Sequence, residues 1–340
     1  MKKYVKPIAK VLLFVFLFVI MYIGSRDILR NKSESEALGV IVNEPDGIYD
    51  VVFAGPSHMQ YAIQPAQLFG EFGIASCNVS TAAQSIPSSY HILKEMIERH
   101  DPELVVLDLF CLFYPDNYFA PARMHQAIDN FPLSKNKIEA INDLVTGDKS
   151  EYYLNYLLYH SRWKELTRFD YTVYREQNEK FQPLIGGEPY PDPFEPVYEK
   201  AEPPEVPLSY LEKLVQLCEE TETELLLTVI PYRADVDNNN TSAILQQQMY
   251  NTVEEMAKEW GVGYINGLHH LDEMNYDFVT DMYEYSHVNV SGANKICKYY
   301  GEYIKKNYEI PDRTADENYA DWHDDFKEYA EILKKAGIEL

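Results

Sequence analysis

The sequence predicts an α/β fold in which a central parallel sheet lies between two layers of helices. Two observations predict it: continuous apolar runs of strand length recur along the chain, and segments of helical length separate them. Such a run is typical of a strand buried on both faces, and strands separated by helices pair in parallel. Because 46% of the 340 residues are hydrophobic, the chain has enough apolar side chains for a large core.

Each element is predicted from a run of this kind. The strands are predicted at Tyr49–Gly55, Ile74–Asn78, Leu104–Phe110, Glu224–Ile230 and Gly263–Ile265. The helices are predicted near Pro65–Phe69 and at Pro87–His100, Leu208–Glu220, Asn251–Trp260 and Gly292–Asn307. Pro87 stands early in its helix, where proline is tolerated because the first N–H groups have no partner within the helix.

The N-terminus predicts a membrane anchor over residues 1–26, followed by a polar stalk over residues 27–47. Four lysines precede the apolar run Val11–Gly24, and no small-residue cleavage site follows it. We therefore expect an uncleaved signal anchor, with a removed signal peptide as the alternative. Lysines beside a span stay inside, which places the rest of the chain outside the membrane.

The α/β domain is predicted over residues 48–310, with an insertion over residues 111–206 where the strand–helix alternation stops. The insertion is rich in aromatic residues and ends in a proline-rich tract, residues 189–196, that is typical of extended chain. We expect the insertion to cover the active edge of the sheet. Its aromatic rings would then stack on sugars or, as is common at helical spacing, belong to a core. Residues 311–340 predict an acidic amphipathic helix that packs on the domain or on a partner.

The composition excludes some classes of function. A formal net charge of -24 argues against nucleic acid as a partner, because its binding needs a basic surface. The four cysteines show no CxxC or other metal-ligand spacing. We therefore predict neither a metal site nor a cofactor.

Two short segments carry side chains for nucleophilic catalysis. Ser57 lies in the run Gly55–His58, on the turn that leaves the first predicted strand, and His287 stands three residues after Glu284. A serine hydroxyl becomes nucleophilic when a histidine takes its proton and an acid orients that histidine. We predict Ser57 as nucleophile and His287 as base, with Glu284 or its rival Asp281 as the acid.

These residues resemble the sequence blocks of the SGNH (GDSL-type) hydrolase superfamily. Gly55-Pro56-Ser57-His58 is similar to the first block, and Glu284-Tyr285-Ser286-His287 to the closing Asp-x-x-His block, with glutamate replacing aspartate. The run from His287 to Ala293 resembles that of a membrane-anchored branch, which includes the lipoteichoic-acid D-alanylation protein and the alginate O-acetylation proteins. The resemblance implies a flavodoxin-like sheet with Ser57 as the nucleophile.

The oxyanion hole departs from the family pattern. The region that matches the second block, Asn78–Ser85, has no glycine, and the third-block asparagine has no counterpart after Asp108. We expect the oxyanion donors to be the N–H of Ser57 and groups of Asn78, Thr81 and Ala82, because donors need geometry more than a given side chain. Further candidates for contact with the substrate are His58, a wall of the site, and Asn289.

The chain is thus expected to be an extracellular, membrane-anchored serine esterase or O-acyltransferase. It would form an acyl-serine and move or remove acetyl-type groups on a cell-surface polysaccharide. The resemblance implies that a polytopic membrane acyltransferase supplies the acyl group. The alternative is a non-catalytic carbohydrate-binding or scaffold protein. The missing glycine and asparagine favour this alternative, and the presence of Ser57 and His287 opposes it.

Overall fold

The computed structural model of the chain describes residues 2–29, 36–42, 44–132, 134–154, 156–171, 183–189, 196–233, 241–284 and 286–338. Within them, the apolar runs form one parallel sheet of five strands, which confirms the predicted α/β architecture. The strands are β1 (Val51–Ala54), β2 (Ser76–Asn78), β3 (Leu104–Asp108), β4 (Glu224–Val229) and β5 (Gly263–Asn266). All residues of β1, β2 and β3 are buried, as expected of a sheet covered on both faces.

Helices connect and flank the strands, and local signals set several helix ends. Ser85 caps one helix by accepting a backbone N–H bond, and Asn289 caps another in the same way. The α-helices of the described residues are α1 (Lys2–Leu29), α2 (Glu36–Ile41), α3 (Ser57–Ala62), α4 (Pro65–Phe72), α5 (Ile86–His100), α6 (Pro121–Ile128), α7 (Lys135–Leu144), α8 (Ser150–Tyr153), α9 (Tyr156–Tyr159), α10 (Glu205–Thr221), α11 (Thr241–Trp260), α12 (Val290–Asn307) and α13 (Trp322–Lys335).

The strand order β2-β1-β3-β4-β5 places a topological switch point between β1 and β3. Alternate strand side chains enter two cores: Val52 packs with α5, α10 and α11, whereas Phe53 packs with α4 and α12. The chain therefore leaves β1 over one face of the sheet and returns from β2 over the other. Ligands of doubly wound sheets bind where the strand order reverses, at the carboxyl ends of the strands. Ser57 follows β1 at this point.

Helix α1 contains a span, Val5–Ser25, that is long and apolar enough to cross a membrane, with a mean hydropathy of 2.4 and no residue buried by the rest of the chain. The predicted stalk differs from what the structure shows. Leu38, Ile41 and Val42 lie in the main core, and α2 packs beside β2. Their spacing places them on one side of a helical turn, so this part of the chain belongs to the domain.

The predicted insertion folds mainly as short helices. Helices α6 and α7 pack against α5, whereas α9 packs against the apolar helix α1. Tyr152 is buried with its ring stacked on His125 at a centroid distance of 4.0 Å, so it belongs to a core. Most of the proline-rich tract, residues 190–195, lies outside the described residues.

The C-terminal helix α13 packs back on the domain. Tyr329 and Leu333 are fully buried in a cluster with Ala66 of α4, and the ring of Phe326 lies against Gly70 of the same helix. Of the two positions expected for this helix, the structure shows the one on the domain.

Candidate active site

Ser57 is the first residue of α3, directly beyond the carboxyl end of β1. Strand β1 ends beside the end of β3, where Asp108 is fully buried. A Cβ atom on Gly55 would lie 2.7 Å from the Asp108 Cβ, a distance that real side chains do not adopt. Glycine at this position therefore lets the turn carrying Ser57 pass close to the neighbouring strand.

Packing between two helices brings Ser57 and His287 together, although they are 230 residues apart in the chain. Helix α3 begins at Ser57, and α12 begins shortly after His287. The thiol of Cys297 on α12 accepts a hydrogen bond from the Gln64 N–H at 3.2 Å and donates to the Ala62 carbonyl at 3.3 Å. The buried thiol thus ties the end of α3 to the helix that follows the histidine.

The side chains of Ser57, His287 and Glu284 form a continuous hydrogen-bonded chain. The distance from Ser57 Oγ to His287 Nε2 is 2.7 Å, and His287 Nδ1 bonds to Glu284 Oε1. An ionised carboxylate accepts hydrogen bonds and cannot donate them, so Nδ1 of His287 carries the proton. Nε2 therefore accepts a hydrogen bond from the Ser57 hydroxyl. This tautomer is the one that removes a proton from serine.

Hydrogen bonds keep the Glu284 carboxylate ionised. Burial raises the pKa of this carboxyl, but bonds from the Ser286 side chain and from His287 outweigh burial and lower the pKa below its usual value. Ser286 donates its hydroxyl to Glu284 Oε1 at 2.8 Å, and its backbone N–H to Oε2 at 3.3 Å. Glu284 is therefore an anion beside the histidine.

Asp281, the predicted rival acid, faces away from His287 into a separate network. Its carboxylate is fully buried and accepts from Lys295 Nζ at 2.7 Å and from the Ser291 hydroxyl at 2.8 Å. It also accepts from the Asp277 N–H at 2.7 Å. The structure thus places Asp281 as a tie between the histidine loop, residues 277–289, and the start of α12.

The insertion packs on this histidine loop. The Val290 N–H donates to the Leu184 carbonyl at 2.7 Å, and the Glu188 N–H donates to the Tyr283 carbonyl at 3.2 Å. Within the loop, the Tyr283 N–H donates to the His287 carbonyl at 2.8 Å, which closes a turn around the site. Residues 183–189 therefore help to fix the loop that carries the acid and the base.

His58 lies beside Ser57 and His287 as a buried, uncharged ring. It stacks on Phe110 at a centroid distance of 3.6 Å, and the His287 ring lies 5.5 Å away. Neither ring nitrogen has a hydrogen-bond partner among the described residues. Burial, with a smaller effect of His287, lowers the pKa of His58 to about 3, so the ring is neutral near pH 7.

Two asparagines predicted at the site use their side-chain donors elsewhere. Asn78 Nδ2 donates to the carbonyls of Met59 and Ile63 at 2.9 and 3.0 Å. Asn289 Nδ2 donates to the carbonyls of Thr280 and Met282 at 2.8 and 3.1 Å. Because an amide has only two N–H bonds, neither side chain has a donor left for an oxyanion or a substrate.

The backbone after β2 presents a different candidate donor. Thr81 already donates its N–H to the Gly55 carbonyl at 3.3 Å and its hydroxyl to Gln84 at 2.9 Å. The Ala82 N–H, in contrast, has no protein acceptor within the described parts of the chain. The next residue, Ala83, has a φ of 51°, so the turn adopts the left-handed conformation without a glycine.

Asp108 is a buried carboxyl near Ser57 that was not among the predicted site residues. Burial raises its pKa to about 7, although backbone N–H bonds from Ile230 and Phe110 oppose this. Its Oδ1 accepts both N–H groups at 3.3 Å, which joins the ends of β3 and β4. The sequence could have indicated that Asp108 lies near the site, because it ends an apolar strand at the same sheet edge as Ser57.

Metal-binding and cysteine chemistry have no site in the described residues. They contain no group of three or more histidine, cysteine or acidic side chains arranged to hold a metal ion. The four cysteines are free thiols and all are buried.

A comparison with models of known protein families finds no match, and a search of curated proteins finds none. What the chain does is therefore inferred from its own site. The contacts among Ser57, His287 and Glu284 are the observations from which that inference proceeds.

Proposed function

We propose that this chain is a membrane-anchored serine esterase or O-acyltransferase of the SGNH type. The observation that supports it is the hydrogen-bonded series from Ser57 through His287 to Glu284 at the carboxyl edge of the sheet. A serine, a histidine and an acid in this order are the parts needed for acyl transfer through an acyl-enzyme. The switch-point position of Ser57 supports the same assignment.

The reaction follows from the tautomer of His287. Its Nε2 takes the Ser57 proton while Oγ bonds to the acyl carbon of a donor ester. The donor C–O bond breaks, and the leaving oxygen takes the proton from His287. An acceptor hydroxyl then gives its proton to Nε2 and its oxygen bonds to the acyl carbon. The bond to Ser57 Oγ breaks, and Oγ takes the proton back from His287. Water as the acceptor gives hydrolysis, and a sugar hydroxyl gives transfer.

Backbone N–H groups are the proposed oxyanion donors. The Ser57 N–H stands in the first turn of α3, where helical N–H groups have no partner within the helix. The unpartnered Ala82 N–H lies in the turn after the neighbouring strand β2. Two backbone donors would stabilise the oxyanion without the side chain of Asn78.

The proposed location is the outer face of a membrane, with α1 as the anchor. The span Val5–Ser25 supports anchoring, and the lysines before it support an inside N-terminus. A surface polysaccharide would be the acceptor, and a polytopic membrane acyltransferase would supply the acyl group. This part of the proposal derives from the family resemblance.

The test is covalent labelling of the full chain in nanodiscs by a fluorophosphonate probe, together with the burst and steady-state release from p-nitrophenyl acetate. We expect labelling of the wild type and its loss in Ser57→Ala and His287→Ala. Ser209→Ala is the matched control, because that hydroxyl bonds a carbonyl on α10. Wild-type labelling no stronger than that of Ser57→Ala would contradict the proposal.

A non-catalytic carbohydrate-binding protein is the second candidate. The commitment of both Asn78 donors to backbone carbonyls favours it, because the site then lacks a side-chain oxyanion donor. The two candidates differ in the labelling experiment: the binding protein would take up saccharide without reacting with the probe.

A further inference from the structure

A row of aromatic rings leads from the candidate active site along the carboxyl edge of the sheet. Phe110 stacks on His58 and lies 5.9 Å from the ring of Phe113. The Phe113 ring is 5.1 Å from Tyr114, which stacks on Tyr118 at 4.1 Å. We call Phe110, Phe113, Tyr114 and Tyr118 the aromatic row. All four side chains are partly exposed, so the row is accessible from solvent.

The row ends at a cavity of about 140 Å³ between the start of α5 and the start of α10. Tyr114, Tyr118 and Tyr210 line it together with the carboxylates of Asp116 and Asp143. Pockets for drug-sized ligands measure roughly 300–1,000 Å³. This smaller cavity therefore suits one ring-sized unit of a longer molecule that continues along the row.

Two carboxylates supply hydrogen-bond acceptors to the cavity. Asp116 uses Oδ1 to accept the Val206 N–H at 2.7 Å, and Asp143 uses Oδ2 to contact Tyr210 and His91. The second oxygen of each carboxylate has no hydrogen-bond partner within the described residues. Free carboxylate oxygens beside tyrosine rings suit a ligand that has hydroxyl donors on its rim and apolar C–H faces. A sugar ring has both.

The charge of the cavity selects among saccharides. None of the described residues that line it is basic, and two are acidic. The chain as a whole carries a formal net charge of -24. A uronate or a phosphate polymer would therefore be repelled, whereas a neutral or an amino sugar would not.

We propose that the cavity binds one unit of a neutral or amino-bearing saccharide acceptor and that the aromatic row guides the adjoining units to Ser57. This inference rests on the proposed function, because it names the acceptor of the same reaction. A hydroxyl of a unit near Ser57 gives its proton to His287, and its oxygen takes the acyl group as the bond to Ser57 Oγ breaks and Oγ takes that proton.

Saccharide binding to the full-length Ser57→Ala variant in nanodiscs tests the inference without turnover and without sugar-headed detergent. The probes are the tetramer of N-acetylglucosamine, the tetramer of glucosamine and tetragalacturonate, titrated by calorimetry. We expect the neutral and the amino probe to bind and the uronate not to bind. Tyr118→Ala and Tyr114→Ala should each weaken binding about 3- to 10-fold, because each removes an aromatic face.

Two further variants separate lost contacts from lost folding. Tyr118→Phe keeps the ring and should bind within about 2-fold of the parent. Tyr198→Ala, at a side chain that is 76% exposed and outside the aromatic row, should also leave affinity unchanged. Equal affinity in the tyrosine-to-alanine variants, tighter binding of the uronate, or no binding of any probe would each overturn the inference.

The charge of the cavity is tested by Asp143→Asn, which keeps an acceptor for Tyr210 and removes one negative charge. We expect the amino probe to lose more affinity than the neutral probe, because both lose one carboxylate acceptor but only the amino probe also loses the attraction of the negative charge. An unchanged preference would contradict selection by charge.

Failure of this inference is distinguishable from failure of the proposed function. Fluorophosphonate labelling of the chain with intact Ser57 reports on Ser57, His287 and Glu284 alone, and labelling should be unchanged in Tyr198→Ala. Labelling without saccharide binding overturns only the subsite. Saccharide binding without labelling keeps the subsite and overturns acyl transfer.

Discussion

Glu284 and Asp281 lie close in sequence, and their roles differ because their partners differ. Glu284 bonds His287 and Ser286, whereas Asp281 bonds Lys295 across the start of α12. The sequence offered both as acids because either stands at a plausible distance before the histidine. Only the path of the loop separates them, since its turns point the two carboxylates in different directions.

We predict that Glu284→Gln lowers kcat for p-nitrophenyl acetate about 10²- to 10⁴-fold. Glutamine fills the same space but carries no charge to stabilise the imidazolium, and it does not fix the tautomer. Esterase kinetics of the full chain provide the measurement. A kcat within a few-fold of the wild type would show that Glu284 is not the acid.

Asp281→Asn is the contrasting variant. Removing the charge leaves Lys295 without its anionic partner and weakens a buried network, so the melting temperature should fall. Glu284→Gln should leave the melting temperature nearly unchanged, because its carboxylate is partly exposed.

Asp108 predicts a pH dependence of stability. Its pKa in the folded chain is about 7, above the ordinary value of 3.8. Between these values the folded state binds more protons than the unfolded state, so stability is full below about pH 4 and falls as the pH rises through 7. At about 1.4 kcal/mol per pKa unit, the loss is on the order of a few kcal/mol.

In Asp108→Asn the pH-dependent contribution of this side chain to the free energy of unfolding disappears. The asparagine oxygen still accepts the backbone N–H bonds of Ile230 and Phe110, but the side chain does not titrate. Urea unfolding at pH 4.5 and pH 8, compared between variant and wild type, isolates the effect from other carboxyls. An equal pH slope in both proteins would contradict the assignment.

At the scale of secondary-structure elements, the sequence alone was sufficient to predict the strands of the sheet. Val51–Ala54 and Leu104–Asp108 are continuous apolar runs, and such runs are buried in a parallel sheet whatever covers them. The placement of Ser57 followed from the same rule, because a side chain after a strand lies at the edge where ligands bind.

The remaining features depend on contacts that no local pattern encodes. The Asn78 amide is committed to the carbonyls of Met59 and Ile63, which are 19 and 15 residues away in the chain. Helix α2 is buried because Leu38 and Ile41, with Val42 directly after the helix, meet the main core, although the surrounding composition is polar. The aromatic rings of the insertion also have different surroundings, which tertiary packing decides. Tyr152 lies in a core, Tyr156 contacts α1, and Trp163 is exposed.

Helix α12 approaches the histidine loop closely at Gly292. A Cβ atom there would lie 2.5 Å from the Asp281 carbonyl oxygen. Gly292→Ala should therefore push the helix from the loop and cost about 1–3 kcal/mol of folding free energy. We also expect slower fluorophosphonate labelling, because His287 moves relative to Ser57.

Glu302→Ala is the matched control, since this side chain is exposed on the same helix. Labelling kinetics and melting temperatures of the two variants provide the measurement. If Gly292→Ala were as stable and as reactive as Glu302→Ala, close packing at this point would not position the histidine.

At the scale of the whole molecule, the anchor helix is joined to the domain by side-chain contacts. Tyr22, near the end of the apolar span, lies 5.7 Å from the ring of Tyr156 on α9. Arg162 donates to the Leu29 carbonyl at 2.7 Å, beyond the span. Residues 156–171 therefore pack against the end of α1.

Trp163 is the side chain that reports this arrangement. It is 64% exposed and Lys164 lies over its ring at 5.5 Å, a pairing that suits the membrane–water interface, where tryptophan and lysine side chains concentrate. We predict that a single-tryptophan chain, with Trp260→Phe and Trp322→Phe, is quenched in nanodiscs of brominated lipid, most strongly when the bromine lies near the headgroup.

The reciprocal variant, Trp163→Phe, keeps two tryptophans that are partly buried within the domain and should show little quenching. Quenching of both variants alike, or of neither, would contradict an interfacial position for Trp163.

A membrane-seated segment would hold the sheet edge that carries Ser57 at a set distance from the bilayer. Under the proposed function, the serine would then act on acyl donors presented at that surface, since Tyr22 and Leu29 of α1 contact residues 156–171 of the domain.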